Sequence, residues 1–210
     1  MPVLEQPLAE TRVMLHPVRW QTFEILLGDL GAHRGTRLAY CEEMLEIMTP
    51  LGEHEHNNRF IDDLIRAIAD EKNLNIKKMG SLTLKRDDLQ KGVEPDSCYY
   101  LQNEPQVRGK QNINLNIDPP PDLVLEIDIT SGSLNKLPIY GALGVPEVWR
   151  YDGEDLTVWV RQASEKYDRA THSLAFPDVE IAAIPQFVRQ SLIDGETATL
   201  REFRRWIMSV

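Results

Sequence analysis

The stretch Leu123-Val124-Leu125-Glu126-Ile127-Asp128-Ile129 constrains this chain more than any other, because two carboxylates are set into an apolar, β-branched run. Pro119-Pro120-Pro121 precedes it and Ser131-Gly132-Ser133 follows, which is the punctuation of a buried strand. Side chains alternate faces along a strand, so Glu126 and Asp128 point the same way. Two carboxylates together in an apolar strand are costly unless a cation neutralises them, and a divalent metal ion does that well. Glu94-Pro95-Asp96 forms a second acidic cluster, separated from the first by a long polar segment. Asp96 and Glu126 are therefore the leading ligands of a hard-metal site, with carboxylates expected within ~5 Å of each other. A structural ion pair is the competing reading for Glu126. Pro121-Asp122 reads as a turn entry whose carboxylate accepts backbone hydrogen bonds.

Composition sets the outer bounds. The 210 residues contain nothing like a linker, so one domain spanning 1–210 is expected. Cys41 and Cys98 are too few for a disulfide scaffold or a cysteine zinc site, and a reduced, cytoplasmic location fits them. No run approaches ~18 apolar residues, and Met1-Pro2-Val3-Leu4-Glu5 lacks a basic segment leading into an apolar one, so neither a membrane span nor a secretory signal is expected. A formal net charge of −10 argues against a general nucleic-acid coat. It leaves room for an enzyme that reaches phosphate through a metal ion and a few local basic residues.

The hydrophobic periodicity predicts a mixed α/β (α+β) plan around one sheet. Helices are expected at 17–31, 52–72, 135–143, 184–192 and 199–208, the last entered through Thr197 or Thr199. Thr36–Cys41 and Leu45–Met48 read as a hairpin turning at Glu42-Glu43. Further strands are expected at 76–79, 81–84, 97–101, 123–129, 147–151 and 156–161, with extended chain at 167–174 and around 179–181. Phe60, Ile61, Leu64, Ile65 and Ile68 make one apolar stripe of the second helix.

Other polar residues carry alternatives. Asp128 either helps to hold a metal ion or is neutralised by a neighbouring lysine. Lys136 either folds back over the strand end to steady charge in a transition state or lies on a solvated helix face. Within Glu53-His54-Glu55-His56, one histidine should face the sheet, and the His-x-His pair alone is a weak metal signal. Glu46 either joins the site or faces solvent on an edge strand. The chain has no glycine-rich phosphate loop, Gly-x-Ser-x-Gly elbow or His-Glu-x-x-His helix, which argues against nucleotide kinases, serine hydrolases and zincins.

Taken together, Pro121-Asp122-Leu123-Val124-Leu125-Glu126, Lys136-x-x-x-Tyr140 and Gly144-Val145-Pro146-Glu147-Val148-Trp149 resemble the Uma-two family of restriction-endonuclease-like proteins. Leu45-Glu46-Ile47-Met48-Thr49-Pro50, His54, His56 and Glu94-Pro95-Asp96 extend the likeness over about 18–152, with 153–210 as a C-terminal run of strands and helices. The resemblance implies a PD-(D/E)xK nuclease core, a central mixed β-sheet flanked by helices. It implies a Mg²⁺- or Mn²⁺-dependent endonuclease acting on nucleic acid, with DNA as the expected substrate. Asp96 and Glu126 would bind metal, Lys136 would stand in for the strand lysine that Asp128 replaces, and Asp128, Glu46 and His56 would complete the catalytic set. A homodimer is expected from the two-fold symmetry of a duplex, with Trp149, Trp159, Phe187 and Trp206 as interface candidates; core packing is the competing reading for all four and the favoured one for Trp149 and Trp159. The alternative is a catalytically inactive binding or regulatory module on the same fold.

Overall fold

The computed structural model describes residues 10–31, 35–129 and 134–210, so Ser131-Gly132-Ser133 and the first residues lie outside what is described. In chain order the elements are β1 (Glu10–Leu15), α1 (Trp20–Leu30), β2 (Arg37–Cys41), β3 (Met44–Pro50), α2 (Gly52–Glu71), β4 (Lys77–Lys78), β5 (Leu84–Arg86), β6 (Lys91–Val93) and β7 (Ser97–Tyr100). There follow α3 (Glu104–Val107), β8 (Leu123–Ile127), α4 (Leu137–Leu143), β9 (Glu147–Tyr151), β10 (Leu156–Arg161), β11 (Tyr167–Ala170), α5 (Ile184–Asp194) and α6 (Glu196–Ile207).

The strands divide between two sheets, where one was expected. An antiparallel sheet has the order β1-β3-β2-β6-β5, and a mixed sheet has the order β11-β10-β9-β8-β7-β4 with β8 and β9 parallel. Alternation identifies strands one at a time but does not say which of them pair. The β8–α4–β9 unit is a parallel crossover, whose long connection is made here by a helix. Gly144 ends α4 in the left-handed region at φ 83°, where a side chain would be strained. The β2–β3 hairpin turns at Glu42 and Glu43 with φ of 51° and 60°, so two glutamates take a conformation that glycine or asparagine usually fills.

The six-stranded sheet is covered on both faces. On one side α2 lays down Phe60, Ile61, Leu64, Ile65 and Ile68, all buried, while Asp63, Arg66 and Asp70 are exposed. Burying each of those large side chains contributes roughly 1.5–3 kcal/mol. The helices α5 and α6 join the same core, where the rings of Phe187, Phe203 and Trp206 meet edge-to-face or tilted with centroids 4.9–5.5 Å apart. Phe187 and Trp149 are buried core residues, Trp149 against Phe176, while Trp206 is partly buried against the same core. On the other side, Ile139, Tyr140 and Leu143 of α4 pack with Val124 and Val148 and with Ala39 and Val93 of the smaller sheet. The two sheets therefore meet beside β8, and Glu10, Glu46, Asp96 and Glu126 are buried near their junction.

Candidate active site

The register of β7 and β8 pairs Ser97 with Leu125, which brings Asp96, one residue before β7, opposite Glu126. Both are buried, and burial is where a carboxylate most needs a partner. Asp96 Oδ2 accepts the Ile127 backbone N–H at 2.8 Å and lies 3.2 Å from His54 Nε2. Its Oδ1 stands 3.0 Å from Arg37 Nε, yet neither atom completes a hydrogen bond, so a buried carboxylate oxygen keeps acceptor capacity. Glu126 Oε2 accepts from Lys136 Nζ at 2.7 Å, and Oε1 accepts from the Tyr140 hydroxyl.

Lys136, at the N-terminal end of α4, folds back over the strand end as the spacing allowed, and its side chain is only 10% exposed. Tyr140 lies one turn further along α4, so a single short helix presents both partners of Glu126.

The electrostatics split the two carboxylates. Burial opposes the charge of Asp96, but His54, Lys136 and Arg37 outweigh it and hold the carboxyl below the ordinary range. Burial pushes Glu126 up; Lys136 pulls the other way, and repulsion from Asp96 adds to the rise. Burial is the largest of these causes. Burial also opposes the Lys136 charge, which Glu126, Asp96 and Glu46 overcome, so its pKa rises. Burial and the facing Glu126 keep the Tyr140 phenol protonated, as a donor.

The remaining expected site residues fall into place with corrections. His54 is fully buried and faces Asp96, whereas His56 points to α6, pairs with Glu196 at 3.3 Å and stacks on Phe60. His56 is thus away from the acidic cluster, because a two-residue step along a helix turns a side chain through about 200°. Glu46 does not face solvent: β1 pairs outside β3, so Glu46 is buried, holding Arg12 Nη1 at 3.1 Å and the Leu134 N–H at 2.8 Å. Asp128 is neutralised by arginines rather than by lysine, through Arg12 Nη2 at 3.2 Å and Arg150 Nη2. Asp122 accepts backbone hydrogen bonds, but across the chain rather than within its own turn, from the Leu101 and Asn103 N–H groups at 2.7 and 2.9 Å, so it ties the end of β7 to the start of β8.

Glu10, Arg12, Arg37 and Arg150 belong to the cluster and were not anticipated. Arg12 Nη2 donates to Glu10 Oε1 at 2.6 Å, and Arg37 Nη2 donates to Glu55 at 3.1 Å. The carboxylates of Glu10, Glu46, Asp96, Glu126 and Asp128 are thereby met by Arg12, Arg37, Lys136 and Arg150, with His54 among them. A cavity of about 260 Å³ opens onto Glu126, Asp128, Lys136 and Tyr140, with Arg12, Arg150, Val148 and Trp159 among its walls.

Among the described residues, no group of three or more His, Cys, Asp or Glu side chains is gathered in a form that would hold a metal ion by itself. A paired Asp and Glu is nevertheless a donor set that suits magnesium, which commonly takes one or two carboxylates and completes its shell with water and substrate oxygens.

No helix among the described residues is long and apolar enough to cross a membrane. The chain matches no curated protein. Its fold is similar to that of a crystal structure described as a putative nuclease belonging to DUF820 from Anabaena variabilis ATCC 29413, with a TM-score of 0.54 and 16% identity over 88% of this chain and 99% of that one. The family model named Uma2, described as "Putative restriction endonuclease", matches residues 20–192. With that match covering most of its length, the chain belongs to the Uma2 family.

Proposed function

We propose that the protein is a magnesium-dependent endonuclease that hydrolyses phosphodiester bonds of DNA at the cavity beside β8. The observation that carries this reading is that Asp96 stands opposite Glu126 across paired strands and that the Lys136 ammonium lies 2.7 Å from Glu126, with Glu126 and Lys136 lining that cavity and Asp96 buried beside them. Asp96 and Glu126 would hold the metal ion, which, when bound, supplies Lewis acidity toward a phosphoryl oxygen and an acidified water. Arg37, His54 and the Ile127 N–H orient Asp96, and Tyr140 orients Glu126. Lys136, kept charged by its acidic neighbours, would face the negative charge that develops on the phosphate. The Anabaena protein's description as a putative nuclease agrees with this reading.

One observation favours a second reading, a catalytically inactive binding or regulatory module: arginines and Lys136 already neutralise much of the acidic cluster without a metal ion. Incubation of the protein with supercoiled plasmid, linear duplex and single-stranded DNA in Mg²⁺ or Mn²⁺ separates the two. The enzyme reading expects metal-dependent cleavage that EDTA abolishes and Asp96→Asn removes. Intact DNA in every reaction, from protein that melts cooperatively, would favour the module.

A further inference from the structure

Asp128 occupies the place where the restriction-endonuclease pattern carries a lysine, and what surrounds it indicates why an acid can stand there. Its carboxylate is held from two sides, Oδ1 by Arg12 Nη2 at 3.2 Å and Oδ2 by Arg150 Nη2. The two guanidiniums come from different sheets, Arg12 from β1 and Arg150 from β9, and both line the cavity that holds Glu126 and Lys136. Arg150 lies opposite Glu126 in the β8–β9 register. Their exposures differ. The Arg12 side chain is 11% exposed and tied to Glu10 and Glu46, whereas that of Arg150 is 46% exposed at the cavity wall. Arg12 is thus an anchored charge, and Arg150 is a guanidinium within reach of an incoming ligand.

Resting on the nuclease reading, we infer that Arg150, backed by Arg12, recognises the anionic phosphodiester at the mouth of the cavity, and that Asp128 is a positioning residue that holds the two guanidiniums apart from the metal carboxylates. Guanidinium forks match the paired oxygens of a phosphate, and charge-assisted hydrogen bonds of this kind are the strong ones. The Asp128 carboxylate has the same planar pair of acceptors, so it is the internal anion that a phosphate displaces from Arg150. Trp159 and Val148 give the cavity an apolar wall as well. A nucleotide unit therefore fits it better than a bare phosphate does. At about 260 Å³ it is smaller than the roughly 300–1,000 Å³ of pockets that enclose drug-sized ligands, in keeping with one phosphodiester unit rather than a larger body.

The test is fluorescence anisotropy of a 12-nucleotide fluorescein-labelled oligothymidylate with the full chain in EDTA, where cleavage is blocked, alongside thermal melting. Arg150→Ala should weaken binding about tenfold or more and lower the salt slope by about one counterion. Asp128→Asn should tighten binding several-fold, because it removes the competing anion, while lowering the Mg²⁺-dependent turnover that depends on placement. These opposite signs are what an ion pair with a purely structural role would not produce. Inorganic phosphate should displace the oligonucleotide only at far higher concentration than unlabelled oligothymidylate; equal potency would mean a free-anion site and would overturn the phosphodiester assignment. Equal affinity of parent and Arg150→Ala, weaker binding by Asp128→Asn, or no binding by the parent would each overturn the proposal. Should Asp128→Asn fail to fold, the affinity and salt slope of the exposed Arg150→Ala variant decide alone. Binding that shifts as stated without cleavage in any metal would leave the arginine assignment standing and remove the nuclease reading. Cleavage undiminished in Arg150→Ala would do the reverse.

Discussion

Glu126 and Glu147 sit on neighbouring parallel strands of one sheet, both buried, and they are held in opposite ways. Among the described residues Glu147 accepts from neutral groups: Trp149 Nε1 at 2.5 Å, the Leu174 and Ala175 backbone N–H groups at 2.7 and 2.9 Å, and Ser173. These bonds fasten the segment after β11 to the sheet and leave the carboxylate enclosed. Glu126 is held by a lysine and a phenol, faces a second carboxylate and opens onto a cavity. Burial alone therefore does not mark a functional acid. Neutral donors saturate a carboxylate, whereas a lysine partner and a nearby like charge leave its protonation and its partners open to change, which is the state the proposed metal site requires.

If the contrast is right, the two acids should fail differently. Glu147→Ala leaves several buried donors unpaired and should cost about 3–5 kcal/mol in denaturant unfolding, while the protein that stays folded keeps its activity. A cost under about 1 kcal/mol would mean that water replaces the carboxylate and the fastening is illusory. The shared scaffold can be probed through Leu64, fully buried on α2 beneath the same sheet. Leu64→Ala should lose about 2–5 kcal/mol in the same assay.

Metal should also tell the two acids apart. Melting in increasing Mg²⁺ should stabilise the parent by about 2.7 kcal/mol at a hundred times the dissociation constant. Glu147→Gln should keep this gain, and Asp96→Asn should lose it. Acidity gives a smaller signal. Burial raises the Glu147 pKa, so between the ordinary glutamate value and the raised one the folded state binds more protons than the unfolded state. Stability therefore falls as pH rises through that window and is level above it. The Glu147→Gln variant should lack that step when its melting is compared with the parent's from about pH 4 upward. Least of all should His56→Ala matter: its pair with Glu196 is partly exposed, and its removal should cost under about 1 kcal/mol and leave cleavage unchanged.

Much of this was legible in the sequence where the signal is local. The β9 and β10 boundaries, the α2 stripe and the Gly144 stop follow from periodicity or from short spacing, whereas the return of Lys136 was implied by the family resemblance and spacing alone left it open. What was not legible is long-range. Arg12, Arg37 and Arg150 reach the acids from strands far apart in the chain, and no pattern within a strand announces which charge will lie across from which. β1 was missed because Glu10-Thr11-Arg12-Val13-Met14-Leu15 lacks clean alternation, and with it went the reason that Glu46 is buried. His54 was separable from His56 only through the helix face. The position four residues after His54 is the buried Asn58, which donates to the Asp96 carbonyl at 3.3 Å, so the Asp96-facing side of α2 is polar rather than apolar.

The central claim is that Glu126 and Lys136 belong to a working phosphodiesterase site while Glu147 belongs to the frame. Its most direct measurement is single-turnover cleavage of DNA in Mg²⁺ by the parent, Glu126→Gln, Lys136→Ala and Glu147→Gln, each with its melting curve. The account predicts that the first two variants lose at least on the order of 10²–10³-fold in rate while melting cooperatively, and that Glu147→Gln cleaves at the parent rate while melting at lower temperature. Parent-rate cleavage by Glu126→Gln or Lys136→Ala would contradict it.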